Sequence, residues 1–138
     1  MKTHLRTLLG LLFCLGLCNC SQKHQATSET GTWRASNDNG DKPGNGIELR
    51  VAKTGEIQGD FFLLQPAKPH DFSAGRSLPM NISQHRANEV LFSVDFGNGQ
   101  IDRMNLTFPI GLSGKTCEGV LRDQEGGDTP IKVVFHKQ

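Results

Sequence analysis

The chain has 138 residues, 15 of them basic and 14 acidic, with eight Phe, one Trp and no Tyr. That length supports one modest hydrophobic core rather than two domains. A near-neutral balance without a basic run leaves no electrostatic footprint for nucleic acid, and a lone Trp without Tyr is poor material for a sugar-stacking platform.

In chain order, Lys2 and Arg6 precede an eleven-residue run of apolar side chains and glycine from Leu8 to Cys18. The run is too short to span a membrane as a helix and fits the apolar region of an export signal, which assigns residues 1–20 to a signal peptide. Removing it leaves about 118 residues, with 13 basic against 14 acidic side chains. The run closes in Leu17-Cys18-Asn19-Cys20-Ser21, which resembles the lipobox of bacterial lipoproteins. The resemblance implies lipidation of Cys20, a membrane anchor through that residue and a place in the cell envelope. The alternative is ordinary signal peptidase cleavage near residue 20, giving a periplasmic or secreted protein. Residues 21–30 carry no apolar side chain beyond Ala26 and suit a flexible tether, so the folded domain is expected over 31–138.

Of four cysteines, Cys14 and Cys18 fall in the signal and Cys20 at its border, which leaves Cys117 to the domain. A lipidated Cys20 makes Cys117 a solitary thiol, read as a small core residue because it alternates with Gly119 and Leu121. An unlipidated Cys20 could instead pair with Cys117.

From Gly31 onward, short apolar-periodic runs alternate with glycine-rich breaks, and no window sustains a helical period. Strands are expected at Thr32–Ser36, Ile47–Lys53, Ile57–Gln65, Met80–His85, Glu89–Phe96, Gln100–Phe108, Thr116–Asp123 and Pro130–His136. Period-two faces show in Ile47, Leu49 and Val51, in Val90, Phe92, Val94 and Phe96, and in Ile131, Val133 and Phe135. Thr54-Gly55, Gly97-Asn98-Gly99 and Glu125-Gly126-Gly127-Asp128 are hairpin chemistry. The fold expected is an all-β antiparallel meander of about eight strands closed into a small barrel, with a β-sandwich as the alternative. Two longer connections, 37–45 and 66–79, are where function would be added to such a scaffold.

Gly31-Thr32-Trp33 at the first strand, with Ile57-Gln58-Gly59 after the Thr54-Gly55 turn, resembles the start of calycin barrels, the lipocalin and avidin group. The resemblance implies that Trp33 plugs the closed end and stacks with a basic residue of a late strand, for which Lys132 and Lys137 are the candidates. Biotin binding as in avidins would need several Trp and Tyr side chains, which this chain lacks.

Catalytic and metal signals are sparse. Ser113-Gly114-Lys115-Thr116 ends like a phosphate-binding loop, but Pro109 occupies the place of the required first glycine and a strand follows in place of a helix. His70, His85 and His136 lack the spacing of a metal pair, and Asp38 to Asp41 fits no calcium ligand set. His70 with Asp71 and Ser73 is the least poor polar site, though without a nucleophile elbow. Asn81-Ile82-Ser83 and Asn105-Leu106-Thr107 are sequons placed in strands.

These readings point to a non-enzymatic envelope lipoprotein whose barrel binds an apolar small molecule or a protein partner, with no cofactor. Trp33, Phe61, Leu63, Phe92, Val94 and Phe135 are the expected interior ligand-binding residues. A secreted hydrolase centred on His70, or a purely structural envelope protein, is the alternative.

Overall fold

The computed structural model describes residues 28–37 and 44–138. The signal segment, Cys20 and the acidic turn at Asp38 and Asp41 lie outside these residues. Nine strands follow one another: β1 (Gly31–Asn37), β2 (Asn45–Val51), β3 (Ile57–Leu63), β4 (Arg76–Pro79), β5 (Asn81–Arg86), β6 (Glu89–Asp95), β7 (Ile101–Thr107), β8 (Thr116–Asp123) and β9 (Ile131–Lys137). All pairings are antiparallel, in the order β4-β3-β2-β1-β9-β8-β7-β6-β5, so the protein is an all-β meander forming a nearly closed barrel. The eight expected strands are all present. The ninth, β4, lies within the segment 66–79 that sequence reads as a loop, together with one 3₁₀ turn at Phe72–Ala74.

The two ends of the strand order are nearly the same piece of chain, since only Met80 separates β4 from β5. Up to Pro79 the chain pairs with β3, in the register Asp60↔Pro79, and from Asn81 it pairs with β6, in the register Asn81↔Ser93. At the switch the Met80 N–H donates to the Gly59 carbonyl at 3.1 Å. One strand thus changes partner midway, and this joins the two edges of the sheet.

Alternation decides what lies inside. Trp33, Leu49, Val90, Phe92, Val94, Leu106 and Phe135 are at most 1% exposed and belong to one continuous core with Phe61, Phe108, Leu112 and Cys117. Phe108 and Phe135 meet edge to face with ring centroids 5.5 Å apart, and Phe61 meets Phe96 similarly at 5.9 Å. Hairpins need glycine where the backbone turns left-handed, and Gly97 and Gly99 between β6 and β7 both do so, at φ of 83° and 84°.

Ser28 and Glu29, which the sequence assigns to the tether, are held against one end of the barrel. The Glu29 N–H donates to the Leu112 carbonyl at 2.7 Å, the Leu112 N–H to Ser28 Oγ at 3.2 Å, and the Ser28 hydroxyl to the Ala87 carbonyl at 2.7 Å. Over this plug lies Trp33, whose indole N–H donates to the Glu29 carbonyl at 3.2 Å. Of the two candidate basic partners it is Lys137 that stacks, its Nζ 5.4 Å from the Trp33 ring centroid and 2.9 Å from Glu29 Oε2. Hydrogen bonds from Lys137 and from the Gly114 N–H hold the Glu29 carboxyl below its ordinary value. Trp33 lies on an inner strand, since β1 is paired with β2 on one side and β9 on the other.

Candidate functional site

The interior is filled by the chain itself. Of the six expected ligand-binding residues, Trp33, Phe61, Phe92, Val94 and Phe135 are at most 2% exposed within the core, and Leu63 packs against it half-buried. All six face inward as expected, but against one another.

A cleft opens on the outer wall instead. β1 and β9 pair only at Trp33↔Lys137 and Arg34↔His136, and the ladder does not extend to Ser36 and Val134, so the strands part toward the end opposite the Trp33 plug. Beside the gap the segment after β3 folds back onto the barrel. Leu64 is buried with its N–H on the Gly44 carbonyl at 2.8 Å, and Phe72 packs edge to face on Phe62 at 4.9 Å. A Cβ added to Gly46 would stand 2.8 Å from the Phe72 ring, so glycine is what admits that ring to the wall. The result is a cleft of about 490 Å³ lined by Arg34, Ser36, His70, Phe72, Lys132, Val133, Val134, His136 and Gln138. A smaller one of about 290 Å³ lies near the plugged end between Thr30, Thr32, Arg50 and Gln58.

The wall beside the cleft carries an ionic stripe. Arg34 Nε donates to Glu48 Oε2 at 2.8 Å, and Arg50 bridges Glu48 Oε1 and Asp60 Oδ2, each at 2.6 Å. Arg34 also lies over Phe72, 5.1 Å from its centroid, so the stripe and the overlying segment meet at one guanidinium. Burial of Glu48 would raise its carboxyl, but hydrogen bonds from Arg34 and Arg50 outweigh this and hold it below the ordinary value of 4.5. A depressed folded value stabilises the protein in full above the unfolded value and loses that stabilisation as acid protonates the group. Glu48→Gln should therefore cost about 1 kcal/mol near neutral pH, because both arginines remain partly in solvent. In thermal melts the gap between wild type and variant should shrink as pH falls below about 4.5; a gap unchanged by acidification would contradict this.

The histidine expectations resolve differently. His70 Nδ1 lies 2.7 Å from Ser36 Oγ, while Asp71 turns away and caps the 3₁₀ turn. The Ser73 hydroxyl, the Ser73 N–H and the Ala74 N–H all donate to Asp71 and hold it below the usual carboxylate range. Asp71 and Ser73 therefore bond each other, and His70 joins neither in a relay. Sequence reasoning missed Arg34, Ser36, Lys132 and His136 as its neighbours. Closure of the meander was the available signal, since it puts the outward residues of the first strand beside those of the last. His85 lies on β5, and Asn81 and Asn105 lie in β5 and β7.

Cys117 is buried with its thiol 3.1 Å from the Gly111 carbonyl oxygen, and burial is the main cause that pushes it up from its ordinary value. Among the described residues, no three His, Cys, Asp or Glu side chains gather as a metal-binding group, and no helix is long and apolar enough to cross a membrane.

Fold and cleft together define a small antiparallel barrel with a filled interior and a cleft of mixed polar and apolar lining on its wall. No family model, curated protein or solved structure matches the chain.

Proposed function

We propose that the chain is a non-enzymatic, lipid-anchored binding protein of the cell envelope, held through Cys20, that takes its ligand or protein partner on the outer wall of the barrel. The observation that carries this reading is the contrast between an interior closed by Trp33, Phe92 and Phe135 and an open cleft of about 490 Å³ between β1 and β9. Clefts of that size suit small molecules. The described chain enters the barrel at the plugged end through Ser28 and Glu29, and β1 and β9 part toward the other end. A hydrolase remains the competing reading, and it would rest on Ser36 with His70 rather than on Ser73.

The test is intact-mass analysis of the membrane fraction from an expressing bacterium, beside a Cys20→Ser variant. Wild type should begin at a lipid-modified Cys20 and the variant should leave the membrane fraction. Cys117 in the wild type should alkylate only after unfolding. A soluble wild-type product cleaved elsewhere would overturn the anchor, and ester turnover lost in Ser36→Ala would replace binding by catalysis.

A further inference from the structure

We propose that the outer-wall cleft takes an oxyanion, a carboxylate or a phosphate monoester, carried on a small apolar body. The inference rests on the reading of this cleft as the binding site and adds the chemical class of its ligand. Arg34, His70, Lys132 and His136 all reach the cleft, from β1, the segment after β3, and β9, and no Asp or Glu side chain is among its described lining residues. Counting Lys and Arg against Asp and Glu alike, the cleft lining stands at two to none where the whole chain stands at 15 to 14.

Much of the donor capacity is uncommitted among the described residues. Arg34 gives only its Nε to Glu48, so the two terminal amino groups of the guanidinium remain for another acceptor. Lys132 makes no ion pair there, whereas Lys68, Arg103 and Lys137 each do. His70 uses Nδ1 toward Ser36 and keeps Nε2. The carboxylates on flanking strands are placed differently. Glu48 is shared between two arginines, and Glu118 lies one strand further round, opposite Val134 on β8.

The remaining lining fixes the rest of the ligand. Phe72 offers a ring already held by Arg34 and Phe62, and Val134 is an outward valine left 43% exposed. An oxyanion alone would leave these surfaces wet, and a neutral apolar molecule would bury cationic groups without an acceptor, which is unfavourable. A charge-assisted contact at one end with apolar packing at the other satisfies both.

Isotope-labelled full chain in detergent micelles would be titrated with phenyl phosphate, benzoate, neutral benzamide and inorganic phosphate, following backbone amide signals. Both aromatic anions should saturate with shifts centred on Ser36, Phe72 and Val134, and inorganic phosphate should bind the same place more weakly. The tighter of the two anions identifies phosphoryl or carboxylate as the preferred head group. The paired substitution Lys132→Gln and His136→Gln, at exposed outward positions, should weaken the better anion about tenfold while leaving the melting temperature unchanged. Benzamide binding at these amides as tightly as benzoate, or anion affinity unaltered in the variant, would overturn the anion assignment and leave the cleft as the binding site. If no probe moved these signals, both readings would fall.

Discussion

Replacing Trp33 by Ala is expected to lower the melting temperature by about 15 °C, from a loss of about 4 kcal/mol. The side chain is fully buried at the plugged end of the barrel, and three separate attachments converge on it. Its indole N–H reaches the Glu29 carbonyl, its face takes the Lys137 ammonium, and its body packs in the core with Leu49 and Phe135. Removal leaves a void beneath the plug formed by residues 28–30, and the plug then has less to rest on. A domain of this size has about 5–15 kcal/mol in total, so this one side chain accounts for roughly a quarter to four fifths of it. Trp33→Phe keeps most of the apolar area, loses the hydrogen bond to Glu29 and should cost about 1–2 kcal/mol. Urea or thermal melts followed by far-UV circular dichroism would measure both. A Trp33→Ala protein melting within a few degrees of wild type would mean that the plug does not depend on this residue.

The strands were legible because their signal is local. Val90, Phe92 and Val94 alternate without interruption, and glycines at 97 and 99 mark where the chain must reverse, so β6 and β7 follow from the one stretch of chain 89–107. β4 was not legible for the same reason. Arg76-Ser77-Leu78-Pro79 has one apolar inward residue and ends in a proline, which cannot donate to a ladder, and only pairing with the neighbouring β3 makes it a strand. The identity of the basic partner of Trp33 was within reach. Val133 and Phe135 face inward, so alternation turns Lys137 in beside them and Lys132 out.

The candidate cleft lay beyond this kind of reading. Ser36 and His70 are far apart in sequence, Arg34 and His136 further still, and each alone looks like an ordinary outward residue on a polar face. What brings them together is the pairing of first strand with last and the early end of that pairing, both properties of the closed barrel. The six interior residues show the converse. Their inward orientation could be read from period two, but whether they surround a cavity or fill it depends on barrel radius, which the pattern does not encode.

Gly59→Ala, a change of one methyl group, should destabilise the protein by about 2–3 kcal/mol, more than most substitutions of that size. Gly59 adopts no left-handed conformation, so the reason is space. An added Cβ would stand 2.7 Å from Met80 Sδ, 2.9 Å from the Glu48 carbonyl oxygen and 3.0 Å from Leu49 Cδ2. The first neighbour is the end of a flexible side chain and can move; the second is backbone of the adjoining strand and cannot move without disturbing the β2–β3 ladder. Gly59 also accepts the Met80 N–H at the point where the chain leaves β3 for β6, so a shift there acts on the junction that closes the barrel. Met80→Ala would remove the movable obstacle and leave the fixed one. In a double-mutant cycle the two substitutions should couple favourably by about 1 kcal/mol, with Gly59→Ala still destabilising in the Met80→Ala background. Full rescue by Met80→Ala would show that the thioether alone sets the limit. A Gly59→Ala protein as stable as wild type would show that the strands do not approach so closely at the closure.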